Sequence, residues 1–291
     1  TMNAASMENS GFEFSATYRN RDHAFKYDIS ANLSTLKNKV TSLGIGKDSY
    51  ISGAYATYVG QEIGQFYGWV YEGIARTQAD LDNHATQQGV NVGDCLYKDI
   101  SGPEGTPDGV IDAYDQTVLG SGLPKVNFGL STHMEYKGFD LNISTYGVLN
   151  YHVSDDIYNS LNSCYGYGNK EVGMLDANRW SEDGTYLSSV PRTYAANNAT
   201  LAWNDLFCSR KIQNAAYWKI ANVELGYNFP DKWFGGYVSG VRLYVSAQNL
   251  YTFTGYHGYN VDYAGGTFTP GYNFCSFPSA RTFMAGLHFT F

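Results

Sequence analysis

The last eleven residues, Arg281 to Phe291, alternate without a break. Phe283, Ala285, Leu287, Phe289 and Phe291 fall on one parity, and Thr282, Met284, Gly286, His288 and Thr290 on the other. Successive side chains of a strand point to opposite faces, so this segment is a strand with one apolar face and one mixed face. An apolar face must be covered by a second sheet or by lipid. A strand finishing on Phe291 suits a closed cylinder whose outer face meets hydrocarbon.

The same pattern recurs upstream. Phe12, Phe14, Ala16 and Tyr18 alternate with Glu13, Ser15, Thr17 and Arg19; after a polar turn at 20–23, Phe25, Tyr27, Ile29, Ala31 and Leu33 alternate with Lys26, Asp28, Ser30, Asn32 and Ser34. This pair predicts an antiparallel hairpin. A second is clearer: Val126 to Tyr136, the turn Lys137-Gly138, then Phe139 to Tyr146. Across a two-residue turn, the flanking residues share a face, so Tyr136 and Phe139 put both apolar sets on one side. Three further strands are predicted at Tyr217–Phe229, Val241–Phe253 and the C-terminal segment, and one of weak phase at Tyr58–Ile74.

About eight antiparallel strands follow from this reading. They are separated by long irregular connections at approximately 75–124, 150–216 and 254–280 and by short turns at 137–138 and 230–240. Connections of that length are uncommon inside a soluble domain. Sorted by side, the three long ones fall together, as the extracellular loops of an outer-membrane barrel do. The connection at 39–57, longer than a periplasmic turn should be, fits this sorting least well.

Composition narrows the function classes. Charged residues are 16% of the 291, and there are 26 Tyr and 32 Gly. That charge is low against about 25% in soluble domains, and rings in such number suit strands that meet a membrane–water boundary. The net charge of −8, with no Lys/Arg cluster, argues against nucleic acid. No run of about 18 apolar residues predicts a membrane helix. The N-terminus has no signal-peptide pattern, so a mature product or a fragment is expected. Cys95, Cys164, Cys208 and Cys275 are scattered through predicted loops without a CxxC, which disfavours zinc and leaves both disulfides and thiols open. Six scattered His with no HxxxH or HExxH, and no GxSxG or P-loop, argue against an enzyme.

Six segments then carry a specific resemblance. GQEIGQFYGWVYEGI (60–74), KDISGPEGTPDGVIDAYDQTVLGSGLPKVNFGL (98–130), EYKGFDLNISTYG (135–147), AAYWKIANVELGYNFP (215–230), VRLYVSAQNLYTFTGY (241–256) and PSARTFMAGLHFTF (278–291) occur in this order. Together they resemble the C-terminal part of the SusC-like (RagA-type) TonB-dependent outer-membrane transporters of Bacteroidetes. The resemblance implies a 22-stranded barrel with a plugged lumen, of which this chain supplies about eight strands and not the plug. It implies a SusD-like surface lipoprotein as lid, energy from the TonB complex acting through the plug, the remainder of the barrel and outer-membrane lipid as neighbours, and a glycan or peptide as substrate.

Two sets of residues are candidates for binding. Asp99, Ser101, Asp108, Asp112 and Asp115, with Gly109, follow the oxygen-rich spacing of a calcium loop, although Pro103–Pro107 interrupt its first half. The alternative is an Asx-rich turn whose carboxylates cap backbone N–H groups. Trp180, Trp203, Tyr165, Tyr167, Tyr256 and Tyr259 fall in predicted extracellular loops, where they would stack on sugar rings or peptide side chains, or pack the loops together. Beside the importer stand two other function classes: a secreted carbohydrate-binding β-sandwich with the apolar faces buried between two sheets, and, last, a hydrolase, which no motif supports.

Overall fold

The computed structural model describes residues 5–163 except 45, residues 169, 172, 190–193, 203–234, 238–262, 265–274 and 276–291. Its organising element is one seven-stranded antiparallel sheet: β1 (Glu13–Asn20), β2 (Phe25–Thr35), β3 (Val126–Tyr136), β4 (Phe139–Leu149), β5 (Tyr217–Phe229), β6 (Gly240–Thr254) and β7 (Thr282–Thr290). Spatial order follows chain order from β1 to β7. The strands meet in short turns at one end and long excursions at the other.

The turn chemistry is local. Lys137 and Gly138 both take positive φ, 48° and 87°, as a tight hairpin that matches strand twist requires. Tyr136 pairs with Phe139, and the register runs unbroken to Val126 with Leu149. The expected register therefore holds, as it does for β1–β2, where Tyr18 faces Ile29.

The strand expected at Tyr58–Ile74 is not part of the sheet. β2 pairs directly with β3, Thr35 opposite Val126 and Phe25 opposite Tyr136. Residues 36–125 are therefore one excursion from the loop end and back. Gly60 and Gly64, at φ 90° and 61°, break the segment into turns, leaving the short strands Tyr55–Tyr58, Gln65–Gly68 and Tyr71–Ile74. The sheet has seven strands rather than eight for this reason, and the awkward 39–57 connection disappears.

One face of the sheet is apolar throughout. Its turn-end row is Phe25, Tyr136, Phe139 and Tyr227; its middle row is Ile29, Thr132, Ile143, Val223 and Ala247; its loop-end row is Leu33, Phe128, Gly147, Trp218 and Phe253. Rings thus border an aliphatic centre on both sides. No second layer covers this face among the described residues: Phe283 is 69% exposed, Leu287 58% and Val245 52%. A sandwich would have buried them.

The long excursions pack on one another at the loop end. Gly271 (φ 73°) shows how closely: a Cβ there would lie 2.4 Å from the His152 carbonyl oxygen and 2.8 Å from the Gly122 Cα, so all three excursions meet at one backbone crossing. Two small cores hold the layer. One gathers Val148, Tyr151, Val153, Ala215, Tyr217, Tyr256 and Val261. The other gathers Cys95, Tyr97, Ile111 and Cys208, with Trp69, Tyr71 and Trp203 against it. Cys164 and Cys275 lie outside the described residues.

Candidate functional site

The face opposite the apolar one is polar and graded. Near the turn end it carries charge. Arg242 on β6 reaches over β5 to Asp140 on β4, with Nε 2.9 Å from Oδ2 and Nη2 2.5 Å from Oδ1. The same Nη2 lies 2.7 Å from Glu224, and Asn228 Nδ2 donates to Asp140 at 2.9 Å. Two strands away, His133 bridges Asn142 (2.6 Å) and Glu135 (2.8 Å), with Lys26 3.6 Å from Glu135. Toward the middle, Ser30, Ser131, Ser144 and Asn222 share a row of neutral hydroxyl and amide groups. At the loop end, Lys219 is buried and pairs with Asp262 at 2.5 Å, its ammonium over the Tyr146 ring. Asp140 and Lys219 are buried, and each is ion-paired and hydrogen-bonded rather than stranded.

The expected calcium loop folds as a capped turn. Asp115, fully buried, accepts from the N–H groups of Ile100 (2.8 Å), Ser101 (3.2 Å) and Asp112 (2.9 Å). Asp112 caps Tyr114, Asp108 accepts from Val110 N–H, and Asp99 accepts from Gly109 N–H across the Pro103–Pro107 insertion. Ser101 is held by its N–H on Asp115, its hydroxyl 3.4 Å from the Gly102 carbonyl. The five residues come together, and each of the four carboxylates accepts from at least one backbone N–H. Among the described residues no group of three or more His, Cys, Asp or Glu side chains is arranged to hold a metal ion. Asp99 is carried across the Pro103–Pro107 insertion to the second half of the loop by its bond to Gly109.

Of the loop aromatics, two are turned inward. Trp203 stacks toward Tyr97 at 5.9 Å between centroids and donates its Nε1–H to the Gln88 carbonyl at 2.9 Å. Tyr256 is buried, its hydroxyl bonded to the Asp155 carboxylate and accepting from Asn273 Nδ2 at 2.7 Å. Burial and the neighbouring Asp155 push its phenol pKa well above the usual range. Trp203, partly buried, and Tyr256, buried, help to assemble the loop layer. Tyr259 is 64% exposed and borders a cavity of about 330 Å³ beside β6. Trp180, Tyr165 and Tyr167 lie outside the described residues.

Sequence reading did not find the Arg242–Asp140–Glu224 cluster or the Lys219–Asp262 pair. Alternation puts Arg242, Glu224 and Asp140 each on the polar parity of its strand. Which of them meet depends on strand order and register.

No protein-family model matches the chain. Curated relatives do. The TonB-dependent receptor P3 of Formosa agariphila is 30% identical over 99% of this chain, and the TonB-dependent receptor P26 of the same organism 28% identical over 99%. The TonB-dependent receptor SusC of Bacteroides thetaiotaomicron is 26% identical over 100% of it. The chain spans less than a third of each relative, 29%, 30% and 27% of their lengths. Among solved structures, the RagAB peptide transporter superposes with a TM-score of 0.77 over 98% of this chain, at 22% identity. The RagAB peptide importer in its open-open state gives 0.75 over 99%, also at 22% identity. Each match covers 29% of the solved chain, and they establish the likeness of fold.

Proposed function

We propose that this chain, homologous along its length to TonB-dependent receptors of the SusC type, forms an arc of an outer-membrane barrel wall together with part of its extracellular mouth. Its work is the import of a nutrient oligomer, a glycan or a peptide. The apolar face meets lipid, the graded polar face lines the lumen, and the layer of long excursions stands on the outside of the cell. TonB supplies energy through a plug that these strands surround, and a SusD-like lipoprotein closes on the loop layer. The relatives' names and the RagAB fold support this reading.

The observation that carries it is the banding of the apolar face. The turn-end and loop-end rows lie eight residues apart on β3, from Tyr136 to Phe128 in unbroken register, and ten apart on β6, where the register shifts. That is about 27–34 Å along the strand at ~3.4 Å per residue. Tilted by about 40°, it spans about 21–26 Å of depth, against an apolar band of about 25 Å between aromatic girdles in barrels of this class. A sheet face dressed this way and left open has lipid as its natural cover.

The test is fractionation of the native polypeptide. It should be recovered with the outer membrane, need detergent for extraction, and migrate on a gel according to whether it was boiled. Recovery from a lipid-free soluble fraction in folded form would overturn the proposal.

A further inference from the structure

The hairpin formed by Ser49–Ser52 and Tyr55–Tyr58 belongs to the first excursion. Tyr50 pairs with Thr57 and Ser52 with Tyr55. Residues two apart on a strand share a face, so these four side chains stand together. Phe268, from the last excursion, comes against them, its ring 6.0 Å from that of Tyr50 and edge-on to it. Close backbone contact fixes this approach: a Cβ at Gly64 would lie 2.5 Å from Pro270 Cδ and 2.8 Å from the Phe268 carbonyl oxygen. Between the two excursions lies a cavity of about 370 Å³, with Leu43 also in its wall. Small-ligand sites span roughly 300–1,000 Å³.

The walls are chiefly apolar, and the polar groups are few. Tyr55 is the most buried of the three rings, at 8% exposure. Among the described residues its hydroxyl has no hydrogen-bond partner. Such buried hydroxyls are rare in folded proteins, and this one is a donor in reserve. The Thr57 hydroxyl oxygen accepts from the Gly64 N–H at 2.9 Å. Lys47 is exposed and is the one charged residue among the described lining. Among the described residues it has no ion-pair partner. No Asp, Glu, Asn or Gln lines the cavity. A sugar ring brings several hydroxyls, each needing a partner when it leaves water, and this wall answers few of them. An apolar side chain needs none.

From these facts we infer that the cavity binds the C-terminal residue of a peptide. The apolar side chain of that residue lies between Tyr50 and Phe268, and its carboxylate meets Lys47. The cation and the apolar walls border one small cavity, so the groups they recognise stand close together. A terminal apolar residue carries both on one Cα. The hydroxyls of Ser52 and Thr269 remain for the last peptide unit. The inference rests on the import reading above and narrows its nutrient oligomer to a peptide.

The experiment is isothermal titration calorimetry of the native polypeptide in mild detergent. The probes are Gly-Gly-Gly-Phe, the same peptide with a C-terminal amide, and maltotetraose. The wild type should bind the acid, bind the amide about fivefold more weakly, the worth of one exposed ion pair, and leave the sugar unbound. K47Q should bind the acid as weakly as the wild type binds the amide, and the amide as the wild type does. That pattern separates a lost charge contact from a general disturbance. Y50A should weaken both peptides and Y50F neither, and K39Q, at an exposed lysine elsewhere, should change nothing. Absence of binding by the wild type, equal binding of acid and amide, or an unchanged affinity in K47Q would overturn the site. Sugar binding that Y50A abolishes would make it a glycan subsite and overturn it too. The membrane reading fails separately, by recovery of the folded wild type from a lipid-free fraction, and stands if Y50A is still extracted only with detergent.

Discussion

Arg242 lies across Gly226 to reach Asp140, two strands away. A Cβ at residue 226 would stand 2.5 Å from Nη2 and 2.6 Å from Nε of the guanidinium. The glycine is the gap through which β6 and β4 are joined on the polar face. Asp140 is nearly buried beneath this bridge. G226A should therefore displace the guanidinium and weaken the wall by about 1.5–3 kcal/mol, the range of a hydrogen bond to a charged group. The measurement is the urea midpoint of unfolding in micelles. R242Q with G226A should cost little more than R242Q alone, because both remove the same contact.

Adjacent positions on β4 separate the two faces. Ile143 is in the middle row of the apolar face and Ser144 points the other way, each continuing its neighbours' parity. I143R should destabilise the folded barrel by about 2–4 kcal/mol, the cost of Arg at mid-depth on a lipid face. S144R should cost under about 1 kcal/mol, since it faces water. Equal costs in a lipid-reconstituted unfolding assay would contradict the assignment of the faces.

The Tyr256–Asp155–Asn273 contact ties two excursions together, and Asp155 also caps the helix Asp156–Leu161 through Tyr158 N–H at 2.9 Å. Y256F should loosen the loop layer and leave the sheet intact, seen as faster hydrogen exchange confined to residues 150–162 and 255–273. The pH dependence has a definite sign. The folded pKa of Tyr256 is raised above its ordinary value of about 10, chiefly by burial and then by Asp155. Its contribution is thus complete below about pH 10 and is lost as pH rises toward the folded value. Y256F should remove that share of the alkaline loosening.

Asp115 satisfies three backbone N–H groups from a fully buried position. D115A should open the 98–116 turn at a local cost of about 2–3 kcal/mol, from donors left without partners. Because the carboxylates are committed to backbone, a chelator should leave the melting temperature of the wild type unchanged. A calcium-dependent shift of several degrees would instead support the metal reading.

What the chain's order of residues determined by itself is the character of the wall. A side-chain period of two, repeated in β1 to β7, decides which face is apolar and which is wet, and Lys137-Gly138 decides one register outright, because a slip of a single residue would invert the whole pattern. The calcium-like spacing at 99–115 and the ring-rich loops were visible too, but their roles were not. Asp115 finds its three amides within its own excursion, through a fold of residues 100–115 that the spacing alone does not dictate. Whether Trp203 and Tyr256 look outward or inward depends on how excursions distant in sequence pack on one another. The tertiary structure also decided that β2 neighbours β3 across residues 36–125, since Gly60 and Gly64 turn the intervening apolar stretch away from the sheet. Period is a local property carried by every few residues; partnership between strands and loops is set by where backbones meet, and only the folded chain contains that.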